Sequence, residues 1–145
     1  MVHKNARIGS GTVIWFRELS NIGDCVIGAS CIIHSHVWIG NGVRIGNRVK
    51  IQAFTFIPTG VTIEDDVFIG PHVCFTNDKH PPSQGKHWHE TTIRQGAVIG
   101  AGAVILPGLD IAGHIGAGAV VTKNVPYGLL VVGNPAKAFG AVDRK

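Results

Sequence analysis

His80 is the side chain with the most obvious chemistry, because an imidazole titrates near neutral pH and can accept a proton from an attacking group. How much it is needed depends on the nucleophile. A hydroxyl has a very high pKa and requires a positioned base as it attacks, whereas an amine is partly free near neutrality and only has to shed its proton afterwards. Asn77 and Asp78 stand just ahead of it, and each has an ordinary use in stabilising a turn through its own side chain. The other histidines show less pattern. His87 and His89 flank Trp88 and read as surface residues; His34 and His36 are two apart, and His72 and His114 are solitary. That spacing does not suggest three converging imidazoles, so no metal is expected. Cys25, Cys31 and Cys74 form neither an even framework nor a C-x-x-C pair, which points to a reducing compartment.

The elements that must position these residues follow a period of six. Ile27, Ile33, Ile39, Ile45, Ile51, Ile57, Ile63 and Ile69 recur at every sixth position, and Phe75 takes the next place. Four residues after each isoleucine stand Cys31, Val37, Val43, Val49, Thr55, Val61, Val67 and Val73, all small or β-branched. Both positions must point inward. Gly28, Gly40, Gly46 and Gly70 directly follow an isoleucine, and the expectation there is a corner that needs permissive dihedrals. An α-helix needs apolar spacings of three and four, and a simple amphipathic strand needs strict alternation; neither fits. Three hexads complete one triangular coil, and stacked coils form parallel sheets, so the fold class is all-β, a parallel β-helix of about seven coils.

The period resumes at Ile93, Ile99, Ile105 and Ile111. Residues 77–92 hold Pro81 and Pro82 but no inward ladder, and are expected to leave the prism as a loop. Ile14 reaches Ile27 in thirteen steps rather than twelve, which implies one extra residue near Ser20. Ile111 and Ile115 are only four apart, so a turn near Gly113 must tighten, and beyond Pro126 the period is lost. The reading is therefore one domain over 1–145, with coils at about 6–76 and 93–125, a loop at 77–92 and a C-terminal tail at 126–145.

At 145 residues the chain has room for one domain. Its 20 glycines are about twice the usual share, and its 15% charged content is well under the usual quarter. A net charge of +4, from 13 Lys and Arg against 9 Asp and Glu, is scattered along the chain, so nucleic acid is not an expected partner. The first residues lead into no apolar stretch of a secretion signal and residues 129–132 are too short to span a bilayer, so no membrane association is expected and the location reads as cytoplasmic.

Three segments carry a family resemblance. Residues 61–71, with Glu64-Asp65-Asp66 and Gly70-Pro71, run into Phe75-Thr76-Asn77-Asp78; residues 116–126 and Gly133-Asn134-Pro135-Ala136-Lys137 follow near the end. The chain resembles the hexapeptide-repeat acyltransferases from Ile8 to Gly140, and its first segment is similar to the subgroup that N-acetylates 3-amino sugars carried on UDP or dTDP. The resemblance implies a left-handed coil, a homotrimer with sites between neighbouring prisms, and acetyl-CoA as cosubstrate along the C-terminal coils. Ala101, Ala103, Gly118 and Ala119 would let the pantetheine arm approach the backbone, and Lys123 and Lys137 would meet the coenzyme phosphates. Asn77 would lie beside the reacting amine, Asp78 would help hold the sugar, and Gln52 belongs to the matching Lys50-Ile51-Gln52 segment.

The sequence departs from that subgroup in places. Ala53 stands where an asparagine is expected, His72 replaces a small residue, and Lys79-His80-Pro81-Pro82 replaces a Pro-Arg continuation that would contact phosphate or sugar. With no further domain in the sequence, any nucleotide is expected to be held by the trimer itself. Acetyltransferases of this fold that act on hydroxyls use a loop histidine as base, so O-acetylation with His80 as base is the runner-up. A γ-class carbonic-anhydrase-like metal protein is a third reading, and a plain scaffold a fourth.

Overall fold

The computed structural model describes residues 1–142; residues 143–145 of the expected tail lie outside the described residues. The chain winds as a left-handed β-helix of about seven turns, a triangular prism with three parallel faces. Face 1 runs from Arg7–Ile8 to Asp110–Ile111. Face 2 runs from Val13–Ile14 to Leu129–Val132 and ends in Lys137–Ala141, which pairs antiparallel with it. Face 3 runs from Asn21–Ile22 to Val120–Val121. No described helix is long and apolar enough to cross a membrane.

The core is the pair of inward ladders that the period implies. On face 2, Ile14, Ile33, Ile51, Ile69, Ile99 and Ile115 stack in register, coil upon coil. Every ladder isoleucine from Ile27 to Ile111 is buried, as are the small or β-branched residues four positions on. Thr55 is the polar exception, and its hydroxyl lies 3.0 Å from the carbonyls of both Gln52 and Gly70, which satisfies it inside the core.

The glycines after the isoleucines have a different cause from the one expected. Gly28, Gly40, Gly46 and Gly70 do not have positive φ; the left-handed position lies two residues later, at Ser30, Gly42, Arg48 and His72. What excludes a side chain is the next coil. A Cβ on Gly40 would sit 2.6 Å from the Thr59 nitrogen, and one on Gly70 would sit 2.7 Å from that of Ala101.

The slips in the period also resolve. A 3-10 turn at Arg17–Leu19 puts two extra residues between Ile14 and Ile22, and the next segment is one short, so Ile22 still stacks beneath Ile39. Gly113 sits in the four-residue step to Ile115, where any Cβ would strike the backbone of residues 126 and 129. The ladder continues past Pro126: Val125 bridges to Ile111, and Val131 stacks on Ile115. Periodicity missed this because the short step recurs between Val121 and Val125, which shifts the register of the last coil.

The corner between faces 1 and 2 is closed by polar groups. Asn47 accepts from the Ala29 N–H at 2.8 Å and its own N–H donates to Asp65 at 2.7 Å. Arg48 pairs with Asp66, while Arg94 bridges Glu64 and Asp110. The acidic run Glu64-Asp65-Asp66 thus ties neighbouring coils together.

Candidate active site

The loop leaves the prism at the corner between faces 3 and 1, directly after Phe75, and returns at Thr91–Ile93. Its neck is held by Asn77, whose Nδ2 donates to the Thr59 carbonyl at 2.9 Å and whose carbonyl accepts from the His89 N–H at 2.9 Å. Asp78 shapes the loop interior, accepting from the N–H groups of Ser83 at 2.8 Å and His80 at 3.1 Å. Desolvation pushes its carboxyl up, but those bonds and the nearby His87 outweigh it and hold the group below the usual carboxylate range. Asp78 is therefore an anion at neutral pH, fixed in place by backbone donors.

Beneath the loop lies a cleft of about 420 Å³ lined by Thr76, Asp78, Lys79, Leu106, Leu109 and Thr122, among others. His80 is not among its lining residues; its ring stands edge-on to that of His87, with centroids 5.6 Å apart. Lys123 is exposed on the same edge of the prism, next to Thr122.

The remaining expected residues lie elsewhere. Gln52, Ala101 and Gly118 occupy the corner between faces 2 and 3, across the width of face 3 from the loop. Ala103 and Ala119 are on that corner too, but they are fully buried inward positions, so only their backbone faces outward. Lys137 is exposed at the start of the final strand, opposite Val132.

Sequence reasoning did not find what fills this second corner. From Ile33 onward, the left-handed position three residues after each face 2 isoleucine forms a column. His36, Phe54 and His72 stack there, with centroid separations of 4.6 and 4.9 Å. Above them Gly102 and Gly118, at φ +68° and +70°, have open space within 4 Å of where a side chain would begin. The column therefore ends in an open shelf two coils tall. The signal was in the sequence, as the residue type at every third position after a ladder isoleucine, but its vertical alignment needs the coil register. Among the described residues no group of three or more His, Cys, Asp or Glu side chains converges.

Two family models match: the bacterial transferase hexapeptide (six repeats) over residues 42–77, and the hexapeptide repeat of succinyl-transferase over residues 22–57. A serine acetyltransferase of Buchnera aphidicola subsp. Acyrthosiphon pisum is 43% identical over 115 residues, covering 78% of this chain and 39% of its own length. A galactoside O-acetyltransferase of Lactococcus lactis is 31% identical over 125 residues, covering 75% and 59%. The chain thus spans less than two thirds of either relative. In fold it is similar to AntD, an N-acyltransferase from Bacillus cereus solved with dTDP and 3-hydroxybutyryl-CoA. That match has a TM-score of 0.81 at 19% identity and covers 95% of this chain and 84% of the other.

Proposed function

This chain belongs to the hexapeptide-repeat acyltransferase family, and from that premise we propose that it transfers the acetyl group of acetyl-CoA to an amino group of a UDP- or dTDP-linked sugar. The observation that carries the choice of acceptor is the cleft beneath the loop. It holds Asp78 as a fixed anion and is not lined by His80. An anion complements an ammonium group, whereas a hydroxyl acceptor calls for a base at that place.

In this reading the amine, once neutral, attacks the thioester carbonyl, a C–N bond forms, and the coenzyme leaves as its thiolate, which collects the proton shed by nitrogen. Asn77, whose Nδ2 is engaged by Thr59, orients the amine through its Oδ1. The shelf above His72 suits the pantetheine arm, because Gly102 and Gly118 present bare backbone there. Lys123 and Lys137 are the cations assigned to the coenzyme phosphates.

One chain holds these parts on two different corners, so the reading needs neighbouring copies. The outward rows support a homotrimer. Face 3 presents Trp38, Phe56, Cys74, Val104 and Val120 above Asn21, with Trp38 and Phe56 stacked at 4.8 Å, and face 2 presents Val13, Ile32, Phe68, Val98 and Leu130 together with Lys50 and His114. Face 1 is more polar, with Arg7, Arg44, Thr62, Thr92 and Asp110 and one apolar member, Val26. Burying faces 2 and 3 of each copy would seat face 2 of one copy on face 3 of the next, with the loop at the edge of face 3 bordering the neighbouring copy.

O-acetylation is the second reading, favoured by the identity to the serine and galactoside enzymes. A panel of nucleotide-linked amino sugars and simple alcohols, followed by thiol release, tests both. With an amino-sugar acceptor, His80→Ala is expected to cost little and Asn77→Ala much. Loss of about 100-fold or more in turnover for His80→Ala, with hydroxyl acceptors preferred, would move the assignment to O-acetylation.

A further inference from the structure

The N-terminal coils carry cations that the acetyl-transfer reading does not use. On the outer row of face 1, Arg7 and Arg44 lie on either side of Val26, in direct register with it. Strands in a sheet are about 4.8 Å apart, so the two arginines start roughly 10 Å from one another on the same surface. Between them lies a cleft of about 450 Å³, also lined by His3, Asp24, Cys25 and Asn41. Arg48 and Arg94, elsewhere on the same prism, are both ion-paired; among the described residues Arg7 and Arg44 have no ion-pair partner. Two unpaired guanidiniums facing one cleft repel each other unless an anion lies between them.

The other lining groups suit an oxyanion. His3 accepts the Asn5 N–H on Nδ1 at 3.2 Å, which leaves Nε2 as its donor end. Asn41 is pinned by the Asp24 N–H on its Oδ1 at 2.8 Å, which leaves its amide nitrogen as the donor end. Asp24 is the one acid in the lining. Cys25 adds no charge, since burial and then Asp24 push its thiol up to about 11.

We infer that the cleft between Arg7 and Arg44 is a diphosphate-binding site, with one guanidinium on each side of the anion and His3 and Asn41 as further donors. Arginine forks match phosphate oxygens in pairs, and a diphosphate has enough oxygens to serve both. The inference rests on face 1 alone and does not depend on which acceptor the enzyme uses. The diphosphate has two possible sources, free inorganic diphosphate or a nucleoside diphosphate.

Titration calorimetry of the full chain with inorganic diphosphate at low salt tests it. The parent is expected to bind, more weakly as salt rises, and the double variant Arg7→Gln/Arg44→Gln to bind about 10- to 100-fold more weakly. Both arginines are exposed, so circular dichroism melting of the double variant should match the parent. UDP is the second probe: binding tighter than inorganic diphosphate, and lost with the arginines, makes the nucleoside diphosphate the source, whereas equal binding makes it free diphosphate. Coenzyme A also carries a diphosphate and is expected to bind parent and double variant alike. Absence of binding by either probe to the parent, unchanged binding by the double variant, or loss of coenzyme binding with the arginines would each overturn the assignment. Failure of the acetyl-transfer reading alone would appear differently, as no coenzyme binding by the parent.

Discussion

Replacing Ile51 by aspartate tests the inward ladder at its centre. Ile51 is fully buried, stacked between Ile33 below and Ile69 above. The coils around it are held at fixed spacing, with the His34 N–H donating to the Ile51 carbonyl and the Gln52 N–H to that of Ile69, both at 2.9 Å. A rigid stack cannot collapse into a void, so Ile51→Ala belongs in the upper half of the usual range, about 4 kcal/mol. Ile51→Asp loses the same packing and adds a carboxyl with no polar partner, at a cost of several kcal/mol more when ionised. That extra cost depends on pH. Burial raises the folded-state pKa of the new carboxyl above its unfolded value of about 3.9. Between those two values the folded state binds more protons than the unfolded state, so stability falls as pH rises, by up to about 1.4 kcal/mol per unit. Ile51→Ala has no such slope. Urea unfolding of the parent and both variants at pH 5 and pH 8, at one protein concentration, gives the comparison. An Ile51→Asp protein that unfolds like the parent, or whose gap from Ile51→Ala is the same at both pH values, would refute the inward assignment.

Two further outcomes are expected. Gly70→Ala should cost about 3 kcal/mol or more, because its Cβ would meet the backbone of Ala101, whereas Gly102→Ala should cost only about 1 kcal/mol of left-handed strain in open space; thermal melts that reverse that order would contradict the coil spacing. Hydrogen bonds from Arg48 hold the Asp66 carboxyl below its ordinary value, and those from Arg94 do the same for Asp110. Folded pKa values that are depressed give a contribution present above about pH 4 and lost as pH falls through the folded value. The double variant Asp66→Asn/Asp110→Asn should therefore melt with a shallower fall on the acid side, and an acid limb as steep as the parent's would exclude these pairs as its source.

What could be read without coordinates was whatever repeats with the coil. The six-residue period of Ile27 through Ile69 already specifies which side chains face inward, because a strand alternates and a hexad closes one face. It also marks residues 77–92 as the place where the chain leaves. The glycines after the isoleucines were legible as positions but not in their cause. Gly70 is excluded from bearing a Cβ by Ala101, which is thirty-one residues away in sequence and touches it only once the coils stack across the loop. The same limit hid the column of His36, Phe54 and His72 under the open shelf at Gly102, and the pairing of Arg7 with Arg44 across Val26. Each joins residues from different coils, at distances set by the register of the turns between them. That register includes two irregular steps, the 3-10 turn at Arg17–Leu19 and the short corner at Gly113. Periodicity therefore determined the prism and its core, while contacts along the prism axis, which bring together the groups proposed for the site, were decided only when the coils stacked.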